Sequence, residues 1–170
     1  MNKIDEKIQK VQNSDVIKHT LFSLIFVARP KTSKDYAWSI IKKLLVELQI
    51  DHDFLKYIEI DEIENLEDTM EDIKVKSSFN NVEPKKIGKA IQNIVDIFKR
   101  RMGKKAGYFF LAEFKEVIGE EYHSIIKKMG VDLRLIELQK EIPGWDTGEY
   151  KIKDEFDSNI AFLEKKESGM

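Results

Sequence analysis

Apolar residues recur at helical spacing along much of the chain, and turn residues fall in the gaps between the stretches. In TSKDYAWSIIKKLLVELQ, residues 32–49, Ala37, Ile41, Leu44, Leu45 and Leu48 form one stripe, and Thr32 or Ser33 is placed to cap the helix. Pro84 opens a second helix, where its missing N–H costs nothing; Ile87, Ala90, Ile91, Ile94, Val95, Phe98 and Met102 share its apolar face. YFFLAEFKEVI, residues 108–118, carries Phe110, Leu111, Phe114, Val117 and Ile118 before Gly119 breaks the pattern. EEYHSIIKKM follows, with acids in its first turn and lysines in its last, and Gly130 is placed to end it. Asp132 is placed to cap LRLIELQKEI, which Pro143-Gly144 stops.

The remaining elements are weaker. Residues 3–12 read as a short polar helix, EYKIK after Trp145 and Gly148 as part of a small hairpin, and DEFDSNIAFLEKKE as a final amphipathic helix through Phe156, Ile160 and Leu163. FLKYIEID and DIKVK alternate weakly and read as two short strands flanking an acidic segment. LFSLIFVAR, residues 21–29, has two readings. Its Phe, Ile and Val content and the stop at Pro30 favour a buried strand, whereas Ser14-Asp15 is placed to cap a helix through it. The expected fold is mainly α with a minor β component. An N-terminal part covers 1–85 and a helical C-terminal part 86–170, the latter holding a tri-helical, helix-turn-helix-like unit over 108–142 with 144–152 as its wing.

Composition agrees with an ordered helical chain: 42% of the 170 residues are hydrophobic and 35% charged, the latter above the roughly 25% of average chains. The absence of cysteine removes disulfides, thiolate metal sites and cysteine nucleophiles. MNKIDEKIQK lacks the apolar centre of a secretory signal, and the longest apolar run falls far short of the roughly 20 residues that span a bilayer. A cytoplasmic protein without membrane contact is expected.

The net charge of −2 is unevenly spread. Residues 59–72 hold eight acids and no base, and residues 85–105 hold eight bases and one acid. These are either solvated faces that neutralise each other, within or between chains, or a basic anion-binding patch beside an acidic arm. The candidate nucleic-acid or anion contacts are Lys99, Arg100, Arg101, Lys104, Lys105, Lys127, Lys128 and Arg134. Basic residues in a helix's last turn also suit its dipole, which gives Lys99, Arg100 and Arg101 a structural explanation. For DNA, the helix after Gly130 is the reading element, but Asp132, Glu137 and Glu141 oppose Arg134 and Lys140 there, unfavourable beside phosphates.

Motifs for catalysis and cofactors are missing: no P-loop, GxGxxG, GxSxG or HExxH pattern occurs. Glu120-x-x-His123 is one pair where a di-iron bundle needs two; His52 between Asp51 and Asp53 suits a turn, and His19 stands alone. No catalytic residue, metal or cofactor is assigned. The aromatics Tyr108, Phe109, Phe110, Phe114 and Tyr122 are mostly core candidates, but Phe109 falls opposite Phe110 and Phe114 and is exposed in a monomer, a sign of a second packing surface. The leading expectation is a non-catalytic binding or regulatory protein working through protein–protein contacts, including self-association. The alternatives are a winged-helix-like DNA-binding regulator over 108–152, and an enzyme or sensor of a small anionic ligand at 99–105.

Overall fold

The architecture is mainly α with one small antiparallel sheet, seen in a computed structural model that describes residues 11–140, with side chains to Glu137. The helices are α1 (Asn13–Ala28), α2 (Lys34–Glu47), α3 (Pro84–Met102), α4 (Phe110–Lys128) and α5 (Leu133–Lys140). Strands β1 (Ile58–Ile60) and β2 (Ile73–Val75) pair antiparallel, with Ile58 opposite Val75, Glu59 opposite Lys74 and Ile60 opposite Ile73. Short 3-10 turns fill the connections. Contacts divide the chain into a unit ending at Val131 and a second beginning at Asp132. No helix among the described residues is long and apolar enough to cross a membrane.

Residues 21–28 are helix, so the strand reading is corrected. The start lies eight residues upstream of the apolar run. The Asp15 N–H donates to the Gln12 carbonyl at 2.9 Å while the Asp15 carboxylate accepts the Gln12 N–H at 3.4 Å, which makes Gln12, not Ser14, the cap. Asn80 reinforces this end by accepting the Ser14 N–H at 2.8 Å. The run looked strand-like because α1 lacks a broad polar face. Val16, Ile17, Leu21, Leu24, Ile25 and Ala28 are all buried, with α2, α3, α4 and β2 packed around them. A helix covered on most sides needs little polar surface, so its periodicity fades.

The other helices follow their patterns, except that Val117, expected on the apolar stripe of residues 108–118, is 40% exposed. Ser33 caps α2, its hydroxyl accepting the Tyr36 N–H at 3.1 Å. Pro84 is in the first turn of α3, and every member of the predicted apolar face from Ile87 to Met102 is buried. α4 runs antiparallel to α1, with Tyr122 stacked on His19 at 3.9 Å and Glu113 ion-paired with Lys31. Phe98 of α3 meets Phe110 of α4 at 6.0 Å. Trp38, Phe79, Phe98, Phe110 and Phe114 are the largest fully buried side chains, each worth about 1.5–3 kcal/mol of burial or more.

Gly119 interrupts α4 as the sequence indicates. At φ 89° and ψ 156° it lies in a region open essentially to glycine alone, and helix resumes on either side. At the end of α4 the Val131 N–H donates to the Ile126 carbonyl and the Gly130 N–H to that of Lys127, the Schellman pattern. Three helical segments, 110–118, 120–128 and 133–140, thus occur in the expected order. Both legs of α4 belong to the first unit, however, and a self-contained C-terminal tri-helical unit is not established. The predicted polar helix over 3–12, the 144–152 wing and the 154–167 helix lie outside the described residues, apart from Val11 and Gln12, which precede α1.

Gly88 fixes how closely α3 approaches the end of α4. A Cβ there would stand 2.1 Å from the Met129 carbonyl oxygen and 2.7 Å from its carbon. Gly88→Ala is therefore expected to lower stability by about 1–3 kcal/mol or more, although alanine gains roughly 1 kcal/mol in helix propensity. Gly119→Ala is expected to cost about 1–3 kcal/mol through backbone strain, because its Cβ meets open space. Urea midpoints at or above that of the wild type would contradict both assignments.

Candidate functional site

The basic segment ends α3 and continues into the loop before α4. Its arginines are held by the protein itself: Arg100 pairs with Asp96 one turn earlier at 2.8 Å, and Arg101 pairs with Glu47 of α2. Lys99 is half-buried. After Met102 the chain makes one 3-10 turn, Gly103–Ala106, with Lys104 and Lys105 exposed. The Lys105 ammonium lies 5.1 Å from the ring centroid of Tyr36, a cation–π contact that ties the turn to the start of α2.

Lys31 holds the loop from beneath. Its ammonium donates to the Ala106 carbonyl at 3.0 Å and to the Glu113 carboxylate. Ala106 is consequently buried, and the backbone reverses at Gly107 so that Phe110 enters the core. The two residues between are turned outward: Tyr108 is 78% exposed and Phe109 65%, their rings edge to face at 5.2 Å. The exposed Phe109 agrees with the helical spacing that set it opposite Phe110 and Phe114. The result is a small surface of Lys104, Lys105, Tyr108 and Phe109, bordered by Tyr36.

The remaining sequence candidates do not join it. Lys127 and Lys128 are exposed at the far end of α4. Arg134 is bound to Asp132 through its Nε at 3.1 Å and Nη2 at 3.2 Å, and the same carboxylate caps α5 by accepting the Arg134 N–H at 3.0 Å. The guanidinium hydrogen bonds to Asp132 raise the Arg134 pKa and compensate its charge locally. Sequence reasoning missed Tyr36, Lys31 and Glu47. Only the stripe of α2 carried a signal, since it put Tyr36 and Glu47 outside the apolar face.

The acidic segment finds its cations elsewhere. Asp61 pairs with Lys74 at 2.8 Å, Glu62 with Lys42 at 3.6 Å and Asp68 with Arg29. Asp68 also accepts the Trp38 indole N–H at 2.9 Å, at a positive φ of 66°. Asp72 is only 2% exposed; its carboxylate accepts the Glu67 N–H at 3.1 Å and the Thr69 N–H at 3.0 Å. Two of the eight acids thus build the loop, and Glu59, Glu62, Glu64, Glu67 and Glu71 line its exposed side.

The histidines are packing residues. His19 stacks on Tyr122; His52 is buried and bonded through Nε2 to the Asn93 side chain at 2.9 Å; His123 is half-buried. No group of three or more His, Asp or Glu that could hold a metal occurs among the described residues. Compared with known proteins, the chain matches no family model, no curated protein and no solved structure.

Lys31→Met removes the donor that holds the loop, so amide exchange at Ala106–Phe110 is expected to accelerate and stability to fall by about 1.5–3 kcal/mol; unchanged protection there would refute the role given to Lys31. Burial lowers the pKa of all three histidines from the ordinary 6.5, outweighing the opposing pull of Asp15 and Glu121 on His19 and of Asp51 on His52. The folded state therefore binds these protons less tightly than the unfolded chain. Their contribution to stability is full above 6.5 and declines as the pH falls below it. Urea midpoints should drop on acidification from neutrality, and His52→Gln should flatten the decline. A midpoint that rises on acidification would contradict the sign.

Proposed function

We propose that this chain is a non-catalytic binding protein that docks another protein through the surface at 104–109. The observation that carries the reading is the placement of Tyr108 and Phe109, adjacent, outward and largely exposed on a loop secured by Lys31. A mobile tip gains little by displaying aromatics, whereas a held loop presents them with less ordering cost on association. Aromatic side chains are the usual anchors of protein interfaces, and flanking charge selects the partner. Here that charge is Lys104 and Lys105, so the partner surface should be acidic with an apolar element. The arginines of the segment are already ion-paired within the chain, which favours this reading over a phosphate-binding patch.

The test is fluorescence anisotropy of a labelled peptide of alternating Glu and Phe against the wild type, Phe109→Ser and the Lys104→Glu/Lys105→Glu double variant, with duplex DNA in parallel. The wild type should bind the peptide, less tightly as salt rises. Phe109→Ser should weaken binding at least about tenfold, the scale of a truncated interface anchor. Equal binding by all three proteins, or no binding, would overturn the reading. Duplex binding with a steep salt dependence, lost with Lys127 and Lys128 instead, would replace it with DNA recognition.

A further inference from the structure

We propose that the occupant of the 104–109 surface is the acidic loop, residues 59–72, of a second copy of this chain, so that copies assemble head to tail. This rests on the docking reading above and names its partner. The chain carries the acidic, partly apolar surface that the basic and aromatic one requires. Glu64, Glu67 and Glu71 are exposed and make no ion pair among the described residues, and half-buried Ile63 and Met70 lie among them. The loop is also shaped before any encounter. Buried Asp72 gathers the Glu67 and Thr69 amides, and Asp68 is held by Arg29 and Trp38, so little conformational freedom remains to be lost.

The two surfaces are kept from satisfying each other within one chain. Both border α2, but on different sides. Lys42 reaches the acidic loop through Glu62 and the Asp61 carbonyl, while Tyr36 and Glu47 meet Lys105 and Arg101. Lys42 is six residues from Tyr36, which at roughly 100° per residue sets the two directions about 120° apart around the helix. A two-fold contact between two 104–109 surfaces would face Lys104 and Lys105 with their own copies, an unfavourable like-charge arrangement. A heterologous contact, basic surface to acidic loop, avoids that repulsion and leaves a free surface of each kind for further copies.

The experiment is sedimentation velocity over a concentration series on the full chain and two charge-reversed variants. Lys104→Glu/Lys105→Glu carries acids on both surfaces; Glu64→Lys/Glu67→Lys/Glu71→Lys carries bases on both. Wild-type assembly should weaken with salt, and each variant alone should associate at least about tenfold more weakly. An equimolar mixture should assemble again, because every contact then joins opposite charges; that recovery also establishes that both variants are folded. If the triple variant does not fold, Glu64→Gln/Glu71→Gln replaces it, with weakened assembly expected and wild-type assembly contradicting the proposal. Variants that assemble like the wild type, or a mixture that stays monomeric, would overturn the proposal. So would assembly abolished by Phe109→Ser alone and indifferent to charge. A wild type that is monomeric throughout but binds the acidic peptide would overturn the second copy and leave the docking surface standing; one that does neither removes both.

Discussion

The fold depends on covering α1. Ile17, Leu21, Leu24, Ile25 and Ala28 are fully buried in a helix with almost no polar face, and each must be shielded by another element. That requirement places α2 and α4 along it, sets α3 beside them and brings β2 against it. The first turn of α1 is pinned by Asn80 and its end by Arg29 and Lys31, so the elements that cover it are also bonded to it. Close approach follows where the chain permits it, most sharply at Gly88, where the backbone of Met129 fills the space a side chain would need.

The same contacts distribute the charge. The end of α1 contributes two cations with opposite tasks. Arg29 lies over the Phe26 ring at 4.5 Å and binds Asp68, fixing the acidic loop; Lys31 binds Ala106 and Glu113, fixing the basic one. The two oppositely charged segments are therefore organised from neighbouring positions of one helix end. What remains outward is five glutamates on one surface, and two lysines with Tyr108 and Phe109 on the other. Exposed aromatics beside exposed charge are the part of the molecule that its own stability explains least, and they carry the functional reading.

Much of this was legible in the chain and some was not. The stripes of α2 and α3, the break at Gly119, the outward Phe109 and the two short strands over Ile58–Ile60 and Ile73–Val75 follow from spacing alone, because each element there has one buried and one wet side; the FLKY half of the first expected strand is a 3-10 turn instead. Residues 21–28 were ambiguous for the opposite reason: burial all round removes the periodicity, and the deciding signal, Gln12 with Asp15, lies upstream of the apolar run. The basic cluster was found as a run of like residues, but its partition was hidden. Nothing local indicates that Arg101 is bound by Glu47, 54 positions away, or that Lys31 secures Ala106. Asp68 and Asp72 likewise read as two more acids in a solvated stretch, although they are its scaffold.

The most direct test of the central claim, that the held aromatic loop and the shaped acidic loop meet across two copies, is amide hydrogen exchange of the wild type at low and high protein concentration. Protection should rise with concentration in both 103–109 and 59–72, with the buried helices α1 and α3 unaffected. Protection gained in only one of the two loops, or elsewhere on the surface, would contradict it.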